Sequence, residues 1–105
     1  LLLGGRDKNL PWDDLVNLIH RRVDHVVAFG EAGPMIARLI GSASPHRRPF
    51  TLEVTPDLES ATRAAASVAS EGDVVLLSPG GTSYDEFQDF EQRGERFRQW
   101  VNLLA

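Results

Sequence analysis

The stretch DVVLLSPGGTSYDEF, residues 73–87, passes from an apolar run through a glycine pair into a polar, acidic segment. Its first part, residues 73–77, predicts a buried β-strand, because apolar residues follow one another without alternation. Ser83 followed three residues later by Glu86 has the spacing of a capping box, which predicts that a helix starts at Ser83. A strand that leads through a glycine turn into a helix is typical of a domain with a parallel sheet.

The same succession of a short apolar run and a segment with helical periodicity recurs along the whole chain. Further strands are predicted at residues 1–3, 25–29 and 50–54. Further helices are predicted at residues 12–22, 34–40, 58–70 and 95–104. The strand at residues 50–54 alternates more than the others, which indicates a position near an edge of the sheet.

The signals for helix ends are less uniform. Either Thr55 or Asp57 can cap the helix at residues 58–70. After the helix predicted from Ser83, the pair Arg93-Gly94 predicts a stop before the last amphipathic helix. A single bent helix through Gly94 is the alternative.

Strands that alternate with helices predict an α/β fold in three layers, with a mostly parallel sheet flanked by helices. Ligands of open parallel sheets bind beyond the carboxyl ends of the strands. Three loops are therefore candidates for a site: GGRDK at residues 4–8, GEAG at residues 30–33 and SPGGTS at residues 78–83.

Composition limits what the domain does. The chain has 105 residues, of which 42% are hydrophobic and 25% charged, and these values predict one globular domain. The net charge is −4, and the pairs Arg21-Arg22 and Arg47-Arg48 form no basic stripe, so a nucleic-acid partner is not indicated. The chain has no cysteine, which removes disulfides and thiolate metal sites and fits a cytoplasmic protein.

No apolar run is long enough to span a membrane, and no signal peptide opens the chain. We therefore expect a soluble protein without a membrane partner. The chain begins with LLLGG, inside a predicted strand, and we expect it to be a fragment of a longer protein.

The loop at residues 78–83 has the composition of an anion-binding turn. Gly80 and Gly81 allow close approach of the backbone, and the helix predicted at Ser83 offers free N–H groups. Lys8 follows the first strand, so we expect it at the same edge of the sheet. The alternative stays open at this point: the glycines form only a turn, Ser83 only caps a helix, and Lys8 is only solvated.

Other motifs favour structural roles. Phe87, Phe90, Phe97 and Trp100 have helical spacing, which is more typical of a core than of a cofactor site. The three histidines show neither metal-ligand spacing nor a catalytic arrangement, so we predict no metal site and no catalytic residue. The phosphate-binding GxxxxGK(S/T) loop and the dinucleotide fingerprint are both absent from the sequence.

Three segments resemble one known family. They are LLLGGRDKNLPWDDL at residues 1–15, DLESATRAAASVASEGDVVLLSP at residues 57–79 and SYDEFQDFEQRGERFRQWVNLL at residues 83–104. Together they resemble the C-terminal domain of the Mur ligases, specifically of the MurD type, which adds D-glutamate. The DNPR motif of the ligases that add diaminopimelate or lysine is absent.

The resemblance implies a cytoplasmic, monomeric three-domain enzyme of peptidoglycan precursor synthesis, with a Rossmann-like C-terminal domain. It also implies that ATP and Mg²⁺, bound mainly outside this fragment, activate the carboxylate of UDP-N-acetylmuramoyl-L-alanine for attack by D-glutamate. Residues 1–105 would then be the amino-acid-binding domain, truncated on its N-terminal side and inactive alone. Its pocket would be incomplete.

The resemblance also assigns roles to single residues. Lys8 matches the lysine that pairs with one carboxylate of glutamate, and Ser83 the serine that binds the other. Phe90 matches a phenylalanine that contributes a backbone contact. The family often has Ala-Cys-Ala where this chain has Gly80-Gly81-Thr82, and Leu or Phe where it has Tyr84, so Thr82 and Tyr84 are possible secondary contacts.

Two other interpretations of the sequence remain. One is a noncatalytic Rossmann-like module that binds a nucleotide or a protein. The other is a different Mur-type or folylpolyglutamate-type ligase domain, which would keep the fold and change the amino acid. A GKT-type phosphate loop in the native sequence before Leu1 would favour a ligase over the noncatalytic module.

Overall fold

The computed structural model describes residues 1–104, which form a four-stranded parallel sheet with helices on both faces. The strands are β1 (Leu2–Gly4), β2 (His25–Phe29), β3 (Thr51–Thr55) and β4 (Leu77–Gly80). The helices are α1 (Asp13–Arg22), α2 (Gly33–Ile40), α3 (Leu58–Val68) and α4 (Phe90–Leu103). The strand order is β3-β2-β1-β4, and every pairing is parallel. The predicted three-layer α/β fold is confirmed.

The sheet has one apolar cluster on each face because alternate side chains of its strands point to opposite sides. On one face, Leu3, Val26 and Ala28 pack with residues of α1 and α2. On the other, Phe29 and its neighbours in the sheet pack with α3, and Trp100 of α4 covers the edge of that cluster. Because β2 is buried on both faces of the sheet, its sequence is a nearly unbroken apolar run.

β3 lies at one edge of the sheet, as its alternation predicts. It pairs with β2 along its whole length, from His25 opposite Thr51 to Phe29 opposite Thr55. Most of its side chains are exposed or partly exposed. The helix that follows is capped by Asp57, whose carboxylate accepts a hydrogen bond from the backbone N–H of Ser60 at 2.8 Å. Of the two predicted caps, Asp57 is the one used.

The fourth strand lies further along the chain than predicted. It covers Leu77–Gly80 instead of residues 73–77, and Val74 is 85% exposed. Pairing with β1 starts at Leu2 opposite Leu77, where the N–H of Leu2 donates to the carbonyl of Leu76 at 2.9 Å, so residues 73–75 lie before the paired part of the strand. The register shifts between this pair and Gly4 opposite Gly80. An extra residue on the β4 side is typical of a bulge, and Pro79, which lacks an N–H donor, lies within it.

The prediction of a helix that starts at Ser83 is wrong. Residues 83–87 form a single turn, in which the N–H groups of Glu86 and Phe87 donate to the Ser83 carbonyl at 3.2 and 2.8 Å. The helix begins at Phe90, capped by Asp89, whose carboxylate accepts from the N–H of Gln92 at 2.8 Å.

The stop predicted at Arg93-Gly94 is also wrong, because α4 continues through both residues to Leu103. The alternative of a single helix is correct across Gly94, although that helix does not reach back to Ser83. Glycine inside a helix costs about 1 kcal/mol relative to alanine, which neighbouring packing can offset. Here Phe97 and Trp100 of the same helix contact the core that includes α3.

None of the helices in residues 1–104 combines the length and the apolar character that crossing a membrane requires.

Candidate functional site

The loops that follow β1 and β4 meet at the carboxyl edge of the sheet. These two strands are parallel neighbours, so their carboxyl ends lie side by side. Beyond them, the N–H of Arg6 donates to the carbonyl of Thr82 at 3.0 Å, and the N–H of Thr82 donates to the carbonyl of Arg6 at 2.8 Å. This pair of hydrogen bonds lies two residues from Lys8 and next to Ser83. The predicted juxtaposition of the two loops is confirmed.

Lys8 lies at the tip of a tight turn. The Asp7 carboxylate accepts a hydrogen bond from the N–H of Asn9 at 3.2 Å, and Asn9 has a positive φ of 59°. Asparagine tolerates this left-handed conformation better than most residues, so the sequence Asp-Lys-Asn suits the turn. The Lys8 side chain is exposed, which leaves its ammonium accessible from solvent.

Ser83 is almost completely buried, with 3% of its surface exposed. Its carbonyl oxygen accepts the two N–H groups that close the turn at residues 83–87, so its backbone is fixed from within the loop. Its side chain caps no helix, because the cap of α4 is Asp89. The reading of Ser83 as merely a helix cap is therefore wrong.

Three polar side-chain atoms are buried in or beside this turn without a partner among residues 1–104, and one of them is Glu86 Oε2. The other two are the Thr82 hydroxyl oxygen and the indole nitrogen of Trp12. The Trp12 ring lies against Gly80, where a Cβ atom would come within 2.8 Å of the ring. Buried polar groups without partners are uncommon, and a functional role is one explanation for them. Trp12 is a neighbour of the turn that its sequence context does not reveal.

The side chains of the remaining predicted contacts, Phe90 and Tyr84, are exposed. Phe90 is 71% exposed, and Tyr84 is 62% exposed. Phe90 is the first residue of α4, so its backbone N–H has no acceptor within the helix. A backbone contact from Phe90 to a ligand is thus chemically available. Its ring, by contrast, is not part of the core, so the core role predicted for that side chain is wrong.

The acidic segment after Ser83 contacts the loop after β2 and the start of α3. The Asp85 carboxylate accepts from the N–H of Glu31 at 3.0 Å, and the Glu86 carboxylate accepts from the N–H of Leu58 at 3.0 Å. Local sequence offers no signal for these contacts, since the amides lie 54 and 28 residues away. Asp85 and Glu86 therefore make tertiary contacts at this edge that the sequence does not reveal.

Arg93 adds a positive charge next to the same turn. Its guanidinium donates to the carbonyl of Gly81 at 3.1 Å. Burial lowers the pKa of Arg93, while the charges of Asp85 and Glu86 oppose that shift. For Glu86, burial raises the pKa, the hydrogen bond from Leu58 lowers it, and the charges of Asp85 and Asp57 raise it further. The neighbouring carboxylates therefore reinforce the effect of burial on Glu86.

The candidate site is an open edge instead of an enclosed cavity. A cavity of about 290 Å³ lies at the opposite edge, where Leu1, His25 and Leu76 line it near the amino ends of the strands. Another, of about 200 Å³, lies among His20, Ile40 and residues of the loop at 41–48. Neither cavity includes Lys8 or Ser83.

Several known proteins with sequences similar to this chain share one name. No protein-family model matches the chain. It is similar to proteins named UDP-N-acetylmuramoylalanine--D-glutamate ligase from several bacteria. The identity is 41% over 101 residues with that of Chlamydia felis, covering 96% of this chain and 23% of the relative. It is 44% over 105 residues with that of Syntrophus aciditrophicus and 42% over 105 residues with that of Geobacter metallireducens, each match covering 100% of this chain and 22% of the relative. The chain thus spans less than a quarter of the length of these relatives.

Proposed function

Because this chain is related along its whole length to the D-glutamate-adding Mur ligases, we propose that it is the C-terminal, amino-acid-binding domain of such an enzyme. The resemblance noted from the sequence is confirmed by these relatives. The full protein would join D-glutamate to UDP-N-acetylmuramoyl-L-alanine in peptidoglycan precursor synthesis. It would act in the cytoplasm as a monomer, and residues 1–105 alone would be inactive.

The observation that carries the proposal is the pair of backbone hydrogen bonds between Arg6 and Thr82. It brings a loop with an ammonium group next to a loop with a hydroxyl group, at the edge where parallel sheets bind ligands. D-glutamate carries two carboxylates. An ammonium and a hydroxyl are groups that bind carboxylates by charge-assisted hydrogen bonds.

In this proposal Lys8 pairs with one carboxylate of D-glutamate and Ser83 donates its hydroxyl to the other. The free N–H of Phe90 contributes a further backbone contact, and Thr82 and Tyr84 are secondary contacts. None of these residues takes part in bond making. Their role is to hold the amine of D-glutamate in place, because a positioned nucleophile reacts far faster than one that must be captured from solution.

The rest of the reaction is proposed to take place outside this chain. ATP, with Mg²⁺, supplies the activation of the acceptor carboxylate when it is bound. This chain has no GxxxxGK(S/T) loop that would hold its phosphates. The UDP-linked substrate would likewise be held by other parts of the protein. Lys8 is exposed at this edge, which suits a domain that closes over a substrate bound elsewhere.

Steady-state kinetics of the full-length protein test this function. We expect Lys8→Ala and Ser83→Ala each to raise the KM for D-glutamate by at least about tenfold, since each removes a hydrogen bond to a charged group. The KM values for ATP and for the UDP-linked substrate should change less than about twofold, because both are held elsewhere.

Two exposed residues of α3 provide matched controls. Arg63 forms a surface ion pair with Glu59, and the Ser67 hydroxyl donates to the carbonyl of Ala64. Arg63→Ala and Ser67→Ala should leave the KM for D-glutamate unchanged. Wild-type protein without D-glutamate-dependent ADP release, or Lys8→Ala and Ser83→Ala variants with wild-type kinetics, would contradict the proposal and favour a noncatalytic module.

A further inference from the structure

The loop that carries Ser83 is buried at that residue although it has no regular secondary structure. Residues 83–89 form turns and bends between β4 and α4. Ordering an irregular segment costs conformational entropy that a helix or strand would offset with its own hydrogen bonds. Ser83 is nevertheless only 3% exposed, so residues outside the loop surround it in addition to the hydrogen bonds that its carbonyl accepts within the loop.

One such contact joins the loop to the end of β2. The Asp85 Oδ2 accepts a hydrogen bond from the backbone N–H of Glu31 at 3.0 Å. This oxygen lies so close to Gly30 that a Cβ atom on that residue would come within 2.5 Å of it. Gly30 also has a positive φ of 71°, a conformation that glycine adopts readily. The backbone after β2 is thus shaped to receive the Asp85 carboxylate.

The second contact joins the loop to the start of α3. The Glu86 Oε1 accepts from the backbone N–H of Leu58 at 3.0 Å. Leu58 is the first residue of α3, so its N–H has no acceptor within the helix, and the positive end of the helix dipole favours a carboxylate there. The other oxygen of Glu86 is buried without a partner among residues 1–104. Glu86 therefore serves a tertiary contact instead of the capping box that its spacing predicts.

Together with the hydrogen bonds of Thr82, these two contacts connect the segment at residues 82–86 to the chain that follows each of the other three strands. Thr82 is hydrogen-bonded to the loop after β1, Asp85 to the loop after β2, and Glu86 to the helix after β3. Ser83 lies between the first and second of these anchor points. Loss of either carboxylate would weaken the anchoring on the C-terminal side of Ser83.

We propose that Asp85 and Glu86 are positioning residues of the amino-acid site, which hold the Ser83 hydroxyl in place by binding the backbone amides of Glu31 and Leu58. This inference rests on the proposed function. Neither carboxylate binds the substrate. A displacement of about 1 Å in a group that positions a substrate can reduce the rate by about a hundredfold, so anchoring of this loop matters directly to the use of D-glutamate.

Kinetics of the full-length protein test the role of Asp85 with a matched pair of variants. Asp85→Ala removes the acceptor for the Glu31 amide, and we expect the KM for D-glutamate to rise at least about fivefold. Asp85→Asn keeps an oxygen acceptor at the same place and should restore the KM to within about twofold of wild type. The KM for ATP should stay unchanged in both variants. A general loss of folding would lower the apparent kcat by reducing the amount of active protein, and it would not raise the KM for D-glutamate selectively.

Glu86→Ala and Glu86→Gln repeat the test through a different hydrogen bond, so the inference stays testable if Asp85→Ala does not fold. The exposed Glu59 of α3 gives the control, and Glu59→Ala should have the kinetics of wild type. If Ser83→Ala raises the KM for D-glutamate while Asp85→Ala and Glu86→Ala leave it unchanged, the positioning role is contradicted and the proposed function stands. If Ser83→Ala itself has no effect, the proposed function fails and this inference fails with it.

Discussion

Gly5 is the residue at which the two loops of the site leave the least room. It has a positive φ of 101°, and a Cβ atom there would lie 2.2 Å from the backbone carbonyl oxygen of Thr82. A backbone atom that is already hydrogen-bonded to Arg6 cannot move aside without breaking the pairing of the loops. Gly94, by contrast, lies within α4, and a Cβ atom added there would meet no other atom within 4 Å.

These two glycines give a matched prediction for stability. We expect Gly5→Ala to lower the free energy of unfolding by at least about 1 kcal/mol, because it adds both strain and overlap. Gly94→Ala should raise the free energy of unfolding by about 0.5–1 kcal/mol, because alanine has the higher helix propensity. Equilibrium urea unfolding measures both, and equal effects of the two substitutions would show that Gly5 is not constrained as described.

Glu86 predicts a pH dependence of stability. Its pKa is raised in the folded protein, chiefly by burial, above the ordinary value of 4.5. The folded state therefore binds the proton more tightly than the unfolded state, so this carboxyl makes stability fall as pH rises from 4.5 through its folded pKa. Relative to wild type, Glu86→Gln should gain stability over that interval and keep the gain at higher pH. Urea unfolding at a series of pH values checks this, and a stability difference independent of pH would contradict it.

The residues of the site differ in how far the sequence reveals them. Lys8 and Ser83 could be proposed because each follows the end of a predicted parallel strand, and the geometry of such sheets brings those ends together. Asp85 could not, because its role depends on an amide 54 residues earlier in the chain. Nor could Trp12, since only the folded chain places its ring against Gly80.

At the scale of elements, two cap signals compete in the segment before α4. Ser83 with Glu86 and Asp89 with Gln92 have the same spacing, and both satisfy the residue preferences of a helix start. The second is used, because Glu86 is engaged with the amide of Leu58 instead of reaching back toward Ser83. Local preference alone does not decide between two such signals when one of the side chains has a distant partner.

The start of α4 can be tested by removing each cap. Asp89→Ala should cost about 1 kcal/mol of stability and increase hydrogen exchange at Gln92, whose N–H donates to the Asp89 carboxylate. Asp89→Asn keeps an acceptor and should change both quantities little. Ser83→Ala should leave exchange in α4 unchanged. Faster hydrogen exchange in α4 after Ser83→Ala, together with unchanged exchange after Asp89→Ala, would show that Ser83 caps the helix as its sequence spacing predicts.

The position of β2 was predicted correctly and that of β4 was not, because pairing with distant strands also sets where a strand lies. β2 lies where its apolar run predicts, because it is paired on both sides and buried on both faces. β4 is shifted toward the glycine pair, because its extent is set by β1, which pairs only from Leu2 to Gly4. An apolar run predicts that a strand is buried. It does not predict the register in which that strand pairs with its neighbour.

At the scale of the whole molecule, the parallel order of the strands explains why a site assembled from distant segments could be expected at all. All four carboxyl ends lie at one edge of the sheet, and the loops after β1 and β4 are hydrogen-bonded to each other there. The larger cavity lies at the opposite edge, near His25 and Leu76. If the proposed function is correct, a site chosen by cavity size alone would lie at the edge opposite to Lys8 and Ser83.

A crystal structure of the full-length protein with D-glutamate would show whether the edge shared by Lys8 and Ser83 binds this amino acid. We expect the Lys8 ammonium and the Ser83 hydroxyl each to lie within about 3.2 Å of a glutamate carboxylate oxygen. Glutamate bound at the opposite edge beside His25, or bound with Lys8 and Ser83 both out of hydrogen-bonding reach, would contradict it.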